Sequence, residues 1–349
     1  MKSRVAILGG LAAVVAAASL HAQSAPAPPS QPSAASASAS ASADKSARQA
    51  KPYTAKTPWG DPDLQGVWDY KTITPVERPA AMGDRQFLND EEVARLEGNA
   101  AKRLDSPPDE NTPANLVHAP YMTDPGRKVD EDRRTSLIID PPDGRVPPLT
   151  AEAQRRLALR RGGGRDGGAD GPESRSSLER CITMGLPSGN LPTLYNNNIR
   201  ISQGPGYVAI THEMVHDTRL IPLDNRPALS PKIHQWFGDS RGPWEGNTLV
   251  VETVNFSDKT NYRGSGATLK LVERFTRTGK NGVEYRVTMD DPATWTKPWT
   301  IELHMRTSEG ELYEYACHEG NYGLHNILEA ARDEEKAAAA KAKKSGVSE

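Results

Sequence analysis

Gly282-Val283-Glu284-Tyr285-Arg286-Val287-Thr288-Met289-Asp290 is the stretch that decides the fold. Val283, Tyr285, Val287 and Met289 fall on one side, and Glu284, Arg286, Thr288 and Asp290 on the other. A period of two puts alternate side chains on opposite faces of a β-strand. The flanking segments repeat the pattern. Trp299, Ile301, Leu303 and Met305 alternate with Thr300, Glu302, His304 and Arg306. Leu269, Leu271 and Phe275 alternate with Lys270, Arg274 and Thr276, except that Glu273 falls on the apolar side. Thr278-Gly279-Lys280-Asn281-Gly282, Asp291-Pro292 and Glu309-Gly310 supply the turns between them.

Further upstream, Asn247 to Val254 is a short β-branched run. Val208, Ile210, His212 and Met214 share a face opposite Ala209, Thr211 and Glu213. Evenly spaced alternating strands with short connections predict an antiparallel meander. A meander with one apolar face closes on itself or packs on a second layer. Closure removes the sheet edges, so the expected fold is mainly β and barrel-like. A few helices lie outside it. Asn89 caps one that runs to about Leu104, and Thr150 caps a second that runs to about Arg161. A third begins near Leu324 and continues into the charged end at 336–349. Ser136 to Ile139 reads as a short buried strand stopped by Pro141-Pro142-Asp143-Gly144, and the Gly/Asp/Arg-rich stretch 162–177 as a loop.

The two ends speak to compartment. Lys2 and Arg4 precede an uncharged Ala/Val/Leu run from Val5 to Leu20, which closes on the small-residue site Leu20-His21-Ala22. That layout predicts a secretory signal over 1–22, and the run is short for a membrane span of about 20 residues. Residues 23–52 are dominated by Ala, Ser and Pro and read as a disordered linker. The roughly 285 residues between the ends suffice for one large domain or two small ones, and a single β-rich domain is expected over 53–335. The protein is therefore expected to be periplasmic or secreted, with no membrane span in the mature chain.

Lys plus Arg is 43 and Asp plus Glu is 45, with no basic block interleaved with aromatics, which argues against nucleic acid as a partner. The two cysteines, Cys181 and Cys317, allow one pairing only, and an exported compartment favours the bridge. Closing so long a loop contributes on the order of 4 kcal/mol.

His212-Glu213-Met214-Val215-His216 fits the zinc-protease pattern H-E-x-x-H. That chemistry needs a helix, where residues i and i+4 lie about 6 Å apart. In a strand the two histidines stand roughly 13 Å apart, unless the chain turns sharply between them. No metal site is expected here, and no cofactor. No nucleophile elbow, phosphate loop or dinucleotide fingerprint appears.

Polar and aromatic groups do recur at the strand ends. Tyr195, Asn197 and Arg200 form one cluster; Asp239, Arg241, Trp244 and Glu245 a second; His318, Glu319, Asn321 and Tyr322 a third. His212, Glu213 and Arg219 add acid, base and anion-binding groups. Histidine with a carboxylate suits acid–base work near neutral pH, Arg clamps carboxylates, and Trp and Tyr offer flat faces to rings. The leading expectation is a small organic ligand bound by the 195–245 region and the 317–322 loop. The alternative is a lyase or hydrolase acting on a sugar or aromatic compound, with His212 or His318 as base and Glu213 or Glu319 as its partner. A third reading is an envelope interaction protein.

Several motifs carry a resemblance. Asp63-Leu64-Gln65-Gly66-Val67-Trp68, Ile221-Pro222-Leu223-Asp224, Gly238-Asp239-Ser240-Arg241-Gly242, Trp244-Glu245-Gly246-Asn247-Thr248-Leu249-Val250-Val251 and Cys317-His318-Glu319-Gly320-Asn321 resemble a large family of exported bacterial proteins, frequent in acidobacteria and sphingomonads. The resemblance implies an origin and a compartment and assigns no activity. Gly66-Val67-Trp68 is also similar to the G-x-W of the first lipocalin strand, in keeping with a barrel.

Overall fold

The computed structural model describes residues 53–106, 123–161, 168–224, 226–259 and 262–345. The predicted signal and linker lie outside these residues, as does part of the predicted 162–177 loop. The strands are β1 (Gly66–Asp69), β2 (Ile138–Asp140), β3 (Asn198–Gly204), β4 (Tyr207–His212), β5 (Thr218–Pro222), β6 (Asp239–Arg241), β7 (Trp244–Glu245), β8 (Thr248–Val254), β9 (Lys270–Gly279), β10 (Gly282–Asp290) and β11 (Trp299–Thr307). They form one antiparallel sheet in the order β5-β4-β3-β1-β11-β10-β9-β8-β6, with β2 paired to β11 and β7 to β8.

Two meanders make up this sheet, β3–β4–β5 and β8–β9–β10–β11. The first strand joins them: Trp68 pairs with Ile199 of β3 on one side and Thr307 of β11 on the other. At the far end β5 and β6 meet again, where the Gly242 N–H donates to Pro222 O at 3.2 Å. A Cβ on Gly242 would stand 2.7 Å from Val250 O and 3.3 Å from Ile221 Cγ2, so only glycine lets the ends approach. The sheet is a nearly closed barrel, as its alternation predicts.

The inward positions are the apolar ones. Val283, Tyr285, Val287 and Met289 of β10 are fully buried, as are Trp299, Ile301, Leu303 and Met305 of β11. Phe275 and Tyr285 meet with ring centroids 4.8 Å apart, and Trp295 stands edge-on to Trp299 at 5.3 Å. Each such side chain contributes about 1.5–3 kcal/mol by leaving water. The interior is therefore filled by side chains in the manner of a small barrel. Outward positions pair by charge, as where Arg286 meets Glu284 and Glu302.

Three helices lie outside the barrel. Helix α1 (Asp90–Asp105) starts on a full capping box, with Asn89 Oδ1 accepting from Glu92 N and Glu92 accepting from Asn89 N. Helix α2 (Ala151–Arg161) starts at Thr150, whose hydroxyl oxygen accepts from Ala153 N. Helix α3 (Tyr322–Ser345) carries the predicted C-terminal helix on through the Lys/Ala run. Cys181 and Cys317 form the expected disulfide, with Cα atoms 5.7 Å apart. Among the described residues no helix is long and apolar enough to cross a membrane.

Candidate functional site

The misfit in the alternation of β9 marks a fully buried polar network. Glu273 stands between Val251 and Val287 in the register, points into the barrel with them, and is fully buried. Arg219 of β5 lies opposite Ile210 and reaches Glu273 across the interior, with Nη2 2.8 Å from Oε1 and Nη1 on Oε2. The pair is bidentate, and its side chains are 4% and 0% exposed. Two further donors complete the Glu273 shell: the Tyr285 hydroxyl at 2.9 Å and Asn190 Nδ2 at 3.0 Å. The other end of the Asn190 carboxamide, Oδ1, lies 2.8 Å from His212 Nε2. Asn190 donates to the carboxylate, so its oxygen faces the imidazole; Nδ1 of the ring lies 3.3 Å from Asp217 O, and the shorter Nε2 contact places the single proton of the neutral ring on Nε2.

This environment sets the titration of the groups. Burial, reinforced by the positive charge of Arg219, pushes the His212 pKa down to about 3, so the ring is a neutral donor at physiological pH. Burial and the Glu273 charge hold the Tyr285 phenol well above its ordinary range. Phe237 covers the ring of His212 with centroids 5.5 Å apart.

Sequence reasoning singled out His212 and Arg219, and the structure brings them together. Glu273 was visible only as a break in the pattern. Tyr285 looked like ordinary core, and nothing in the sequence pointed to Asn190.

Glu213 does not continue the strand alternation that sets it on the face opposite His212. The strand ends at His212, and left-handed backbone at Val215 (φ 61°) and His216 (φ 48°) turns the chain into β5. The turn buries Glu213, which accepts from Asn196 Nδ2 at 2.8 Å and Asn198 Nδ2 at 2.6 Å. The sharp turn that a purely extended reading leaves out is therefore present between His212 and His216. His216 is exposed, with Nδ1 3.2 Å from Tyr315 O. Among the described residues no group of three His, Cys, Asp or Glu is arranged to hold a metal ion.

The remaining predicted residues are dispersed. Asn197 is buried and satisfies loop backbone, accepting from Thr193 N and donating to Asp124 O. Asp239 is buried, accepts from Leu229 N at 2.8 Å and pairs with Arg241. Trp244 packs against the apolar cluster from the two-residue strand β7, while Glu245 is exposed and pairs with Arg274. Arg200 pairs with Glu311 on the outer surface. Tyr195 meets Tyr315, whose phenol burial and Tyr195 together push up to about 12. His318, Glu319 and Tyr322 are exposed near the disulfide, where Asn321 Nδ2 donates to Glu179 O at 2.7 Å.

A separate cleft of about 640 Å³ opens beside Asp69, Lys71, Asp124, Arg127, Lys128 and Arg306. Its cations are engaged: Lys71 bridges Asp69 and Asp124, Arg127 meets Asp105, Lys128 meets Glu97 and Arg306 meets Glu131. The interior network, which combines complete burial with acid, base and charge, is the stronger candidate.

No protein-family model matches the chain, and a search of curated proteins found no match.

Proposed function

We propose that the chain is an exported barrel protein, of the acidobacterial and sphingomonad type that its motifs resemble, which binds a small polar organic molecule within the barrel. The observation that carries the reading is the Arg219–Glu273 pair, fully buried among apolar side chains together with Tyr285, Asn190 and His212. A buried ion pair is not an efficient way to stabilise a core, because apolar residues of the same volume serve as well or better. Oriented donors and acceptors set among apolar side chains are what confer specificity on a ligand site. The disulfide and the Lys2/Arg4–Ala22 layout support export.

Two measurements test this. N-terminal sequencing of protein expressed with its full leader is expected to read from Gln23, and a chain recovered from the cytoplasm with its leader intact refutes export. Native mass spectrometry of the chain from a periplasm is expected to show an organic adduct of fixed mass. The adduct should be absent from the double variant Arg219→Met/Glu273→Leu. A bare wild-type mass, or an adduct that the double variant retains, overturns the barrel site.

A further inference from the structure

Asn190 reaches the barrel interior on a segment, residues 183–191, that is built as a self-contained turn. From Gly185 onward its main-chain bonds are local: Gly189 N to Gly185 O, Asn190 N to Pro187 O and Leu191 N to Ser188 O, all between 2.9 and 3.1 Å. Its first two residues are anchored outside it, Thr183 N donating to Ser177 O and Met184 N to Asp217 Oδ2, each at 3.4 Å. It is held from outside itself by a few side-chain groups. Thr183 Oγ1 donates to Asp217 Oδ2, the Tyr70 hydroxyl donates to Gly189 O, and the carboxamide of Asn190 makes three bonds inside the barrel. Leu186 and Leu191 join the apolar cluster on either side of it.

The fit around the carboxamide is specific. One amide N–H points at Glu273 and the nitrogen lies 3.3 Å from the Tyr285 oxygen, while the amide oxygen faces the Nε2–H of His212. A carboxylate in the same place would set a second anion against Glu273. An apolar group would leave both the imidazole N–H and the carboxylate lone pair unmet. Sites built to hydrogen-bond a group discriminate strongly against analogues that lack it. The backbone comes just as close: a Cβ on Gly189 would lie 2.9 Å from His212 Cδ2, so the main chain lies against the ring as tightly as a seated ligand. The site also holds an unused donor. Arg219 Nε is buried and has no hydrogen-bond partner among the described residues, because the guanidinium meets Glu273 through its two terminal nitrogens.

We infer that the barrel interior is a recognition site for a primary carboxamide, occupied here by the chain's own Asn190, and that segment 183–191 is a plug which a carboxamide-bearing molecule displaces. The inference rests on the reading of the barrel as a small-molecule site and names the chemical group that site takes. His212 supplies the donor to the ligand oxygen and Glu273 the acceptor for its N–H. Arg219 positions Glu273, and the plug keeps these groups satisfied until the ligand enters.

Chemical complementation tests it. Asn190→Ala removes the internal carboxamide and leaves His212, Glu273 and Tyr285 in place. Acetamide is expected to raise the melting temperature of this variant saturably, and to bind it at least tenfold more tightly than it binds the wild-type chain. Acetate at equal ionic strength should not. Equal effects of acetamide and acetate, or none on the variant, overturn the proposal. Should Asn190→Ala fail to fold, the wild-type protein provides the reading. Acetamide, but not acetate, is then expected to speed hydrogen exchange at the Gly189, Asn190 and Leu191 amides, and unchanged exchange overturns the plug. A native adduct that lacks a carboxamide and is not displaced by acetamide refutes this inference alone and leaves the barrel site standing.

Discussion

His212 and His304 sit on the same sheet and titrate in opposite directions. His212 ends β4 inside the barrel, and burial with Arg219 nearby brings it down to about 3. His304 lies on the outward face of β11, under the segment that carries Asp130. Burial pulls it down as well, but the hydrogen bond and charge of Asp130, with Asp132 and Glu131 beyond, raise it to about 9. Both rings are largely out of water. What separates them is where the nearest carboxylate is committed. Asp130 is free to face its histidine directly, whereas Glu273 is held by Arg219 and is separated from His212 by the Asn190 carboxamide. The interior therefore keeps its cation on arginine and its histidine as a neutral donor. The outer face uses histidine as the cation.

The largest expected losses fall on the carboxylates. Glu273→Ala strands Arg219 in the core, and the expected loss is about 3–5 kcal/mol in urea unfolding. Arg219→Met/Glu273→Leu is expected to recover part of that loss, because no charge is left behind while the Tyr285 hydroxyl and the Asn190 amide lose their acceptor. On the outer face, Asp130→Asn costs about 1–2 kcal/mol, since His304 is freed to deprotonate instead of remaining as an unpaired cation. Equal losses for Glu273→Ala and Asp130→Asn would mean that the interior pair is no more deeply committed than the outer one.

The pH dependence separates the two histidines next. His212 has a folded pKa of about 3 against an ordinary value of 6.5, so between these values the unfolded chain binds the extra proton. Its contribution is complete above about pH 6.5 and is lost as pH falls towards 3. His304, with a folded pKa of about 9, contributes fully below 6.5 and loses that contribution as pH rises through 9. Each slope approaches about 1.4 kcal/mol per pH unit for one proton. His212→Gln is expected to flatten the acid limb of stability against pH, and His304→Gln the alkaline limb. If His212→Gln leaves the acid limb as steep as before, the interior ring is not held neutral.

How far these features were legible in the sequence follows from where their partners lie. His304 alternates outward as its neighbours predict, but Asp130 comes from a Pro- and charge-rich stretch with no period, so the pair was invisible. Inside, Glu273 broke a clean alternation and so announced itself, and the barrel followed from the same alternation. His212 and Arg219 were read as functional groups, yet no strand pattern says which residues meet across a barrel. Asn190 was the hardest to see. It arrives on a Gly/Pro turn whose sequence describes its own local bonds and nothing of the barrel interior it enters. Cys181 and Cys317 needed no geometry, because only one pairing existed.

The smallest expected effects fall on residues that looked functional because they are polar and lie at strand ends. Arg200 pairs with Glu311, and Glu245 with Arg274, with both partners of each pair exposed. Solvent screens such pairs, and each is worth at most about 1 kcal/mol. Arg200→Ala and Glu245→Ala are therefore expected to shift urea midpoints only slightly and to leave ligand retention in native mass spectrometry unchanged. Retention lost in either variant would move the binding site to the outer surface. The interior network would then be a device of the core alone, with the opposed titrations of His212 and His304 reflecting architecture without bearing on recognition.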